Sequence, residues 1–183
     1  MDLELSAAEK KILLHSARET LEAKLDGREA VYLEPTAFLL DCSCGVFVTL
    51  RGGRGDLRGC IGNLTGRGKA LCELVKEMAL ASAFEDPRFP PLRKDEVKRV
   101  SIEISVLSEF EEAGAADVIP GKHGILIRRS YHSGLLLPQV ATEQGWGREQ
   151  FLSHGCLKAG LPPESWRQGD TQISIFTALV FHE

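Results

Sequence analysis

Arg58 and Cys60 stand two residues apart in the stretch Leu57-Arg58-Gly59-Cys60-Ile61-Gly62. In an extended chain alternate side chains share a face, so a fixed cation and a thiol point the same way. Gly59 and Gly62 flank them without side chains. The planar fork of arginine suits a carboxylate or phosphate, and a neighbouring positive charge favours the thiolate, the nucleophilic form of cysteine. The stretch therefore reads as a pocket for a small anionic or polar ligand. Arg58, Gly59 and Gly62 receive the ligand there, and Cys60 serves as nucleophile or redox thiol. An imidazole would supply the base; of His123, His132 and His154, His123 is the candidate taken forward. The same residues allow a plainer reading, in which cysteine and arginine are structural and the glycines let a helix pack closely.

A second candidate is Asp86-Pro87-Arg88-Phe89-Pro90-Pro91. Three prolines stiffen it in an extended path. It either presents Asp86 and Arg88 to a ligand or clamps the loop to the body through an Asp–Arg pair. Gly66-Arg67-Gly68-Lys69 opens a helix and invites a phosphate-loop reading. The pattern fails at two places, because Asn63 stands for its first glycine and Ala70 for its hydroxyl. Cys42 and Cys44 lack the second ligand pair of a zinc site, so no metal or other cofactor is expected. Trp146, between glycines, could wall a pocket, although tryptophan more often serves a core or an interface.

The elements that must position these residues are legible as patterns. Residues 6–26 predict a helix: Ser6 and Glu9 form a capping box, and Leu13, Ala17, Leu21 and Leu25 recur on one stripe widened by Leu14. Strands are predicted over 46–50 and 56–61 across a glycine-rich turn, forming a hairpin. Residues 69–83 predict a second helix with Leu71, Leu74, Val75, Met78 and Ala79 inward. The alternation over 100–107 is the clearest strand signal. Short strands follow over 125–128 and 135–137. A helix is expected over 147–159 with Phe151, Leu152 and Leu157 inward, and one last strand over 172–181. Hairpins dominate and helices do not alternate with strands, so the fold class is α+β with a mainly antiparallel sheet flanked by helices.

Composition bounds the function. At 183 residues the chain is one domain or one domain with two lobes, with a formal charge of −4 and a pI of about 5.8. That balance disfavours broad nucleic-acid binding. No apolar stretch reaches the roughly 18 residues of a membrane span, and Met1-Asp2-Leu3-Glu4 lacks a signal-peptide pattern. A cytoplasmic protein is expected, and its five cysteines read as free thiols. Oligomeric state is not legible.

The motifs also carry a resemblance. The run from Gly45 to Leu50 and the Leu57–Gly62 hexapeptide resemble the AMMECR domain family, whose prokaryotic members are also called AmmeMemoRadiSam system protein A. The likeness continues through Ala83-Phe84-Glu85-Asp86-Pro87-Arg88-Phe89-Pro90-Pro91-Leu92, Ile102 to Ser108, Gly121 to Ile125, Leu136 to Val140 and Trp146 to Leu161, and covers about residues 10–182. The resemblance implies an α+β fold of two subdomains. It also implies a genomic association with a Memo-type protein related to extradiol dioxygenases and with a radical S-adenosylmethionine protein. It brings no settled activity. A noncatalytic adaptor or regulatory role toward those partners is the competing reading. It expects an exposed apolar patch around Trp146 and Leu161-Pro162-Pro163.

Overall fold

Alternating apolar residues over 102–106 build one of the two inner strands of the first of two sheets. The computed structural model describes residues 4–42 and 44–183; the N-terminal Met1-Asp2-Leu3 and Ser43 lie outside them. The described chain forms two compact units, residues 4–107 with 179–183, and residues 108–178.

In the first unit, α1 (Ala7–Asp26) starts on the expected capping box: the Glu9 amide donates to Ser6 Oγ at 3.2 Å, and the Ser6 amide donates to Glu9 Oε2 at 2.9 Å. It ends at Gly27, whose left-handed φ of 66° is the usual helix stop. The short α2 (Ala37–Asp41) leads into β1 (Gly45–Arg51), β2 (Leu57–Asn63), α3 (Leu71–Phe84) and β3 (Ser101–Leu107). β1 pairs antiparallel with both β2 and β3. With β8 (Ala178–His182) the sheet order is β2-β1-β3-β8. One face of this sheet carries Val46, Val48, Leu50, Ile102, Ile104 and Val106, all fully buried together with Leu13, Ala17 and Leu21 of α1 and Leu74, Val75 and Ala79 of α3. The opposite face carries Thr49, Arg58, Cys60 and Glu103.

The second unit contains β4 (Glu111–Glu112), β5 (Gly124–Arg129), β6 (His132–Leu136), α4 (Pro138–Gln144), α5 (Arg148–Lys158) and β7 (Gln172–Phe176). Its sheet order is β4-β7-β5-β6, with antiparallel pairings. Phe151, Leu152 and Cys156 of α5 pack with Ile125, Ile127, Leu136 and Ile173 in its core. The fold class is α+β, as the patterns predict. Among the described residues no helix is long and apolar enough to cross a membrane.

Several expectations are corrected. The single strand expected over 172–181 is two strands in two sheets, because the Thr177 amide donates to Ser108 Oγ at 2.9 Å and breaks the run. α4 escapes periodicity because it is only seven residues long, although Pro138 opens it and the left-handed Gly145 closes it. Leu157, expected inward, is exposed, whereas Leu161, expected in an exposed patch, joins the second core. Cys42 and Cys44, expected as free thiols, form a disulfide; the free cysteines are Cys60, Cys72 and Cys156.

Candidate functional site

β2 is an edge strand, and the side chains around it occupy its outer edge and both faces. Cys60 faces Thr49 across the β1–β2 ladder, and the Thr49 hydroxyl donates to Cys60 Sγ at 3.3 Å. On the outer edge of the strand the Cys60 amide donates to Asp86 Oδ2 at 2.9 Å, and Arg88 Nη2 donates to the Cys60 carbonyl at 3.3 Å. Asp86 and Arg88 thus bond the exposed backbone of Cys60 as a neighbouring strand would. They are tied to each other as well, with Arg88 Nε 2.9 Å from Asp86 Oδ1 and Nη2 2.7 Å from Oδ2. The Asp86 side chain is 2% exposed and that of Arg88 55%. The Arg88 guanidinium holds the Asp86 carboxyl well below the usual carboxylate range, against the opposing effect of burial.

Arg58 sits on the same face of β2 as Cys60. Its Nε and Nη2 reach Glu96 at 3.4 and 3.2 Å, which lowers the pKa of the Glu96 carboxyl. The Arg58 side chain is only 13% exposed. Its Nη1 is buried and has no hydrogen-bond partner among the described residues. The Phe89 ring lies near both cations, its centroid 6.0 Å from the Arg58 guanidinium carbon and 5.5 Å from that of Arg88.

The two glycines are close-packed. A Cβ on Gly59 would collide with the Ser82 carbonyl oxygen of α3, and one on Gly62 with the Phe47 ring of β1. Ser82 also enters the strand ladder: its hydroxyl donates to the Val48 carbonyl at 2.7 Å and accepts the Ile61 amide at 2.9 Å. The space beside Gly59 and Gly62 is therefore filled by protein, and the remaining open chemistry belongs to Arg58, Cys60, Arg88 and Phe89.

His123 belongs to the second unit. Its Nδ1 lies 3.3 Å from the Ile119 amide and 3.2 Å from the Asp117 carbonyl, and its ring lines a polar cleft of about 170 Å³ with Ser108, Glu109, Lys122 and Phe176. His132 Nδ1 is bonded to the Ala159 carbonyl, and His154 stacks on Trp146 with ring centroids 3.8 Å apart. Trp146 itself packs against the second core. In the first unit, Lys69 of the glycine-rich turn is ion-paired to Glu77. Among the described residues, no three His, Cys, Asp or Glu side chains come together as a metal-ligand set.

Phe89, from the second candidate stretch, joins the site, and Thr49, Ser82 and Glu96, which do not stand out in the sequence, complete it. The register of the hairpin would place Thr49 opposite Cys60, but no spacing rule brings Glu96 to Arg58 from 38 residues away.

The arrangement defines a two-unit α+β protein with an arginine–cysteine edge strand clamped by a rigid loop. The AMMECR1 family profile matches residues 14–181. A protein of Nanoarchaeum equitans is 39% identical over 91% of this chain and 96% of its own length. A protein of Methanopyrus kandleri is 41% identical over 100% of this chain and 92% of its own. The crystal structure of an uncharacterized protein from Pyrococcus horikoshii superposes with a TM-score of 0.88 at 36% identity, covering 99% of this chain and 94% of that one. The chain belongs to the AMMECR1 family.

Proposed function

We propose that the Arg58–Cys60 face of β2 binds a small anionic ligand. The observation that carries this reading is Nη1 of Arg58, a buried donor with no protein partner among the described residues. A buried guanidinium N–H left unbonded costs about 1–3 kcal/mol or more, and a carboxylate or phosphate oxygen would recover that cost. The half-exposed Arg88 adds a second cation, and Phe89 offers an apolar wall between the two. Cys60 beside them is the nucleophile or redox thiol of the enzymatic form of this reading, with the Thr49 hydroxyl placed to donate to a thiolate.

Thermal unfolding in about 10 mM inorganic phosphate and a panel of small mono- and dicarboxylates tests the binding. The expected result is a rise in Tm with at least one of them that Arg58→Ala abolishes, as linkage requires of a ligand bound only by the native state. No rise with any anion, or a rise indifferent to Arg58→Ala, removes the reading. Iodoacetamide at pH 6.5 tests the chemistry separately: Cys60 should react faster than free glutathione, and an equal or slower rate leaves Cys60 a binding or packing residue.

A second reading is favoured by the apolar side chains of the link after α1 and of α2. Val31 is 73% exposed, and Leu33, Phe38 and Leu40 are exposed beside it in sequence. Where such side chains join into one patch they mark a protein contact, and the family resemblance supplies Memo-type and radical S-adenosylmethionine proteins as partners. Co-purification with tagged partners should survive Cys60→Ser and be lost in Val31→Asp/Leu40→Asp. Failure of the unsubstituted chain to bind either partner rejects it.

A further inference from the structure

The Cys42–Cys44 disulfide closes a loop of three residues in the link between α2 and β1. A cross-link stabilises a fold chiefly by restricting the unfolded chain, and the effect grows with the length of loop closed. Here the loop is about as short as a disulfide can make, and the bond ties no distant elements together. The first unit already has a core of fully buried side chains from α1, α3, β1 and β3. The bond is therefore poorly placed to act as a staple. Both cysteines are partly exposed residues, and accessible disulfides are the ones that exchange.

The backbone on either side is held without the bond. The Cys42 amide donates to the Phe38 carbonyl at 2.8 Å, and the Cys42 carbonyl accepts the Leu71 amide at 2.9 Å. Gly45 is fixed in register opposite Leu107, and a Cβ there would strike the Leu64 carbonyl. Two thiols released at 42 and 44 would stay adjacent, so re-closure is intramolecular and favoured by effective concentration. Of the free cysteines, Cys60 lies on β2 and is followed separately by its own peptide, while the other two compete little. Cys72 and Cys156 are buried, and burial pushes both thiols up, away from the reactive thiolate.

The geometry points to Cys42 and Cys44 as a reversible two-electron couple that exchanges with low-molecular-weight thiols, separate from the anion site at Arg58. A thiolate of the small thiol attacks one sulfur, forming a mixed disulfide and expelling the other cysteine as thiolate. A second small thiolate attacks the small thiol's own sulfur in that mixed disulfide. This releases the oxidised small disulfide and the second cysteine thiolate, and both cysteines take up protons. The protein gains two electrons, two small thiols lose them, and the reverse sequence restores the bond.

Glutathione is the probe. The full chain is equilibrated anaerobically in buffers spanning reduced to oxidised glutathione, quenched in acid and alkylated, and each cysteine is read by peptide mass spectrometry. The Cys42/Cys44 pair is expected to pass from disulfide to dithiol along one curve approached from either side, with an unchanged circular dichroism spectrum. A pair that stays oxidised in the most reducing buffer until the chain is unfolded overturns the proposal, as does a dithiol that never re-closes in oxidised glutathione. Cys42→Ser gives an independent reading. In oxidised glutathione most of its Cys44 should carry one glutathionyl group, whereas the unsubstituted chain resolves that adduct and carries little. A Cys44 that remains unmodified in the variant also overturns the proposal.

Discussion

Gly59 sets how near α3 can come to β2. Because the Ser82 carbonyl already occupies the place of a Cβ, Gly59→Ala must push backbone against backbone. A cost of about 1–3 kcal/mol is expected, the usual range for overpacking, read from the urea midpoint at constant m-value. A change below about 0.5 kcal/mol would show that α3 can retreat freely. Asp86 makes a different demand. Asp86→Asn keeps an oxygen for the Cys60 amide but removes the charge that holds Arg88, and should cost about 1–3 kcal/mol. Recovery of wild-type stability in Asp86→Glu at the same pH would argue against this tight geometry, since a longer side chain misplaces both bonds. Alternation alone places Arg58 and Cys60 on one face, and the prolines mark 86–91 as rigid. What the glycines do was not legible. A missing side chain announces space, and only the position of Ser82 and Phe47 tells whether protein fills it.

At the scale of elements, Ser82 joins α3 to the β1–β2 ladder, satisfying the Val48 carbonyl and the Ile61 amide with one hydroxyl. Ser82→Ala strands both buried backbone groups, and a loss of about 1–3 kcal/mol is expected. The Ile61 amide should also exchange hydrogen faster, relative to amides elsewhere in β1 and β3. Unchanged protection at Ile61 would mean that the ladder bonds directly without the serine. Elements with long patterns are legible: α1, α3 and β3 are found within about two residues of their predicted bounds, because burial on one side imposes a period. Elements defined by tertiary partners are not. Alternation runs through 172–181 with a strand-compatible Thr177 in the series, and the division into β7 and β8 falls where Thr177 bonds Ser108, far away in sequence. Leu157 faces solvent because helical phase puts it on the side of α5 away from Phe151, Leu152 and Cys156, whereas Leu161 turns into the core after Gly160, whose φ of 75° ends that phase.

At the scale of the whole molecule, acid stability follows from carboxylates held below their usual pKa. Hydrogen bonds from Arg28 and from the Val31 amide lower Glu19 to about 2. Arg88 lowers Asp86, and Arg58 lowers Glu96. In each case the native carboxyl releases its proton at a lower pH than the unfolded one, near 4. Between those two values the unfolded chain binds more protons, so stability rises with pH across that window. The contribution is fully present above about pH 5 and is lost as pH falls toward the native pKa. The urea midpoint should therefore be flat from about pH 5.5 to 7 and drop steeply below. Glu19→Gln isolates one group. It removes the charge facing Arg28, so at pH 7 the variant is less stable than the wild type. The gap should shrink steadily as pH falls from about 5 toward the native pKa of about 2, and close only below it, where Glu19 is protonated in the folded chain as well and the wild type is electrically equivalent to the variant. A gap of constant size over that range would show that Glu19 does not titrate below its unfolded value and that its bonds to Arg28 and Val31 lend no acid-sensitive stability.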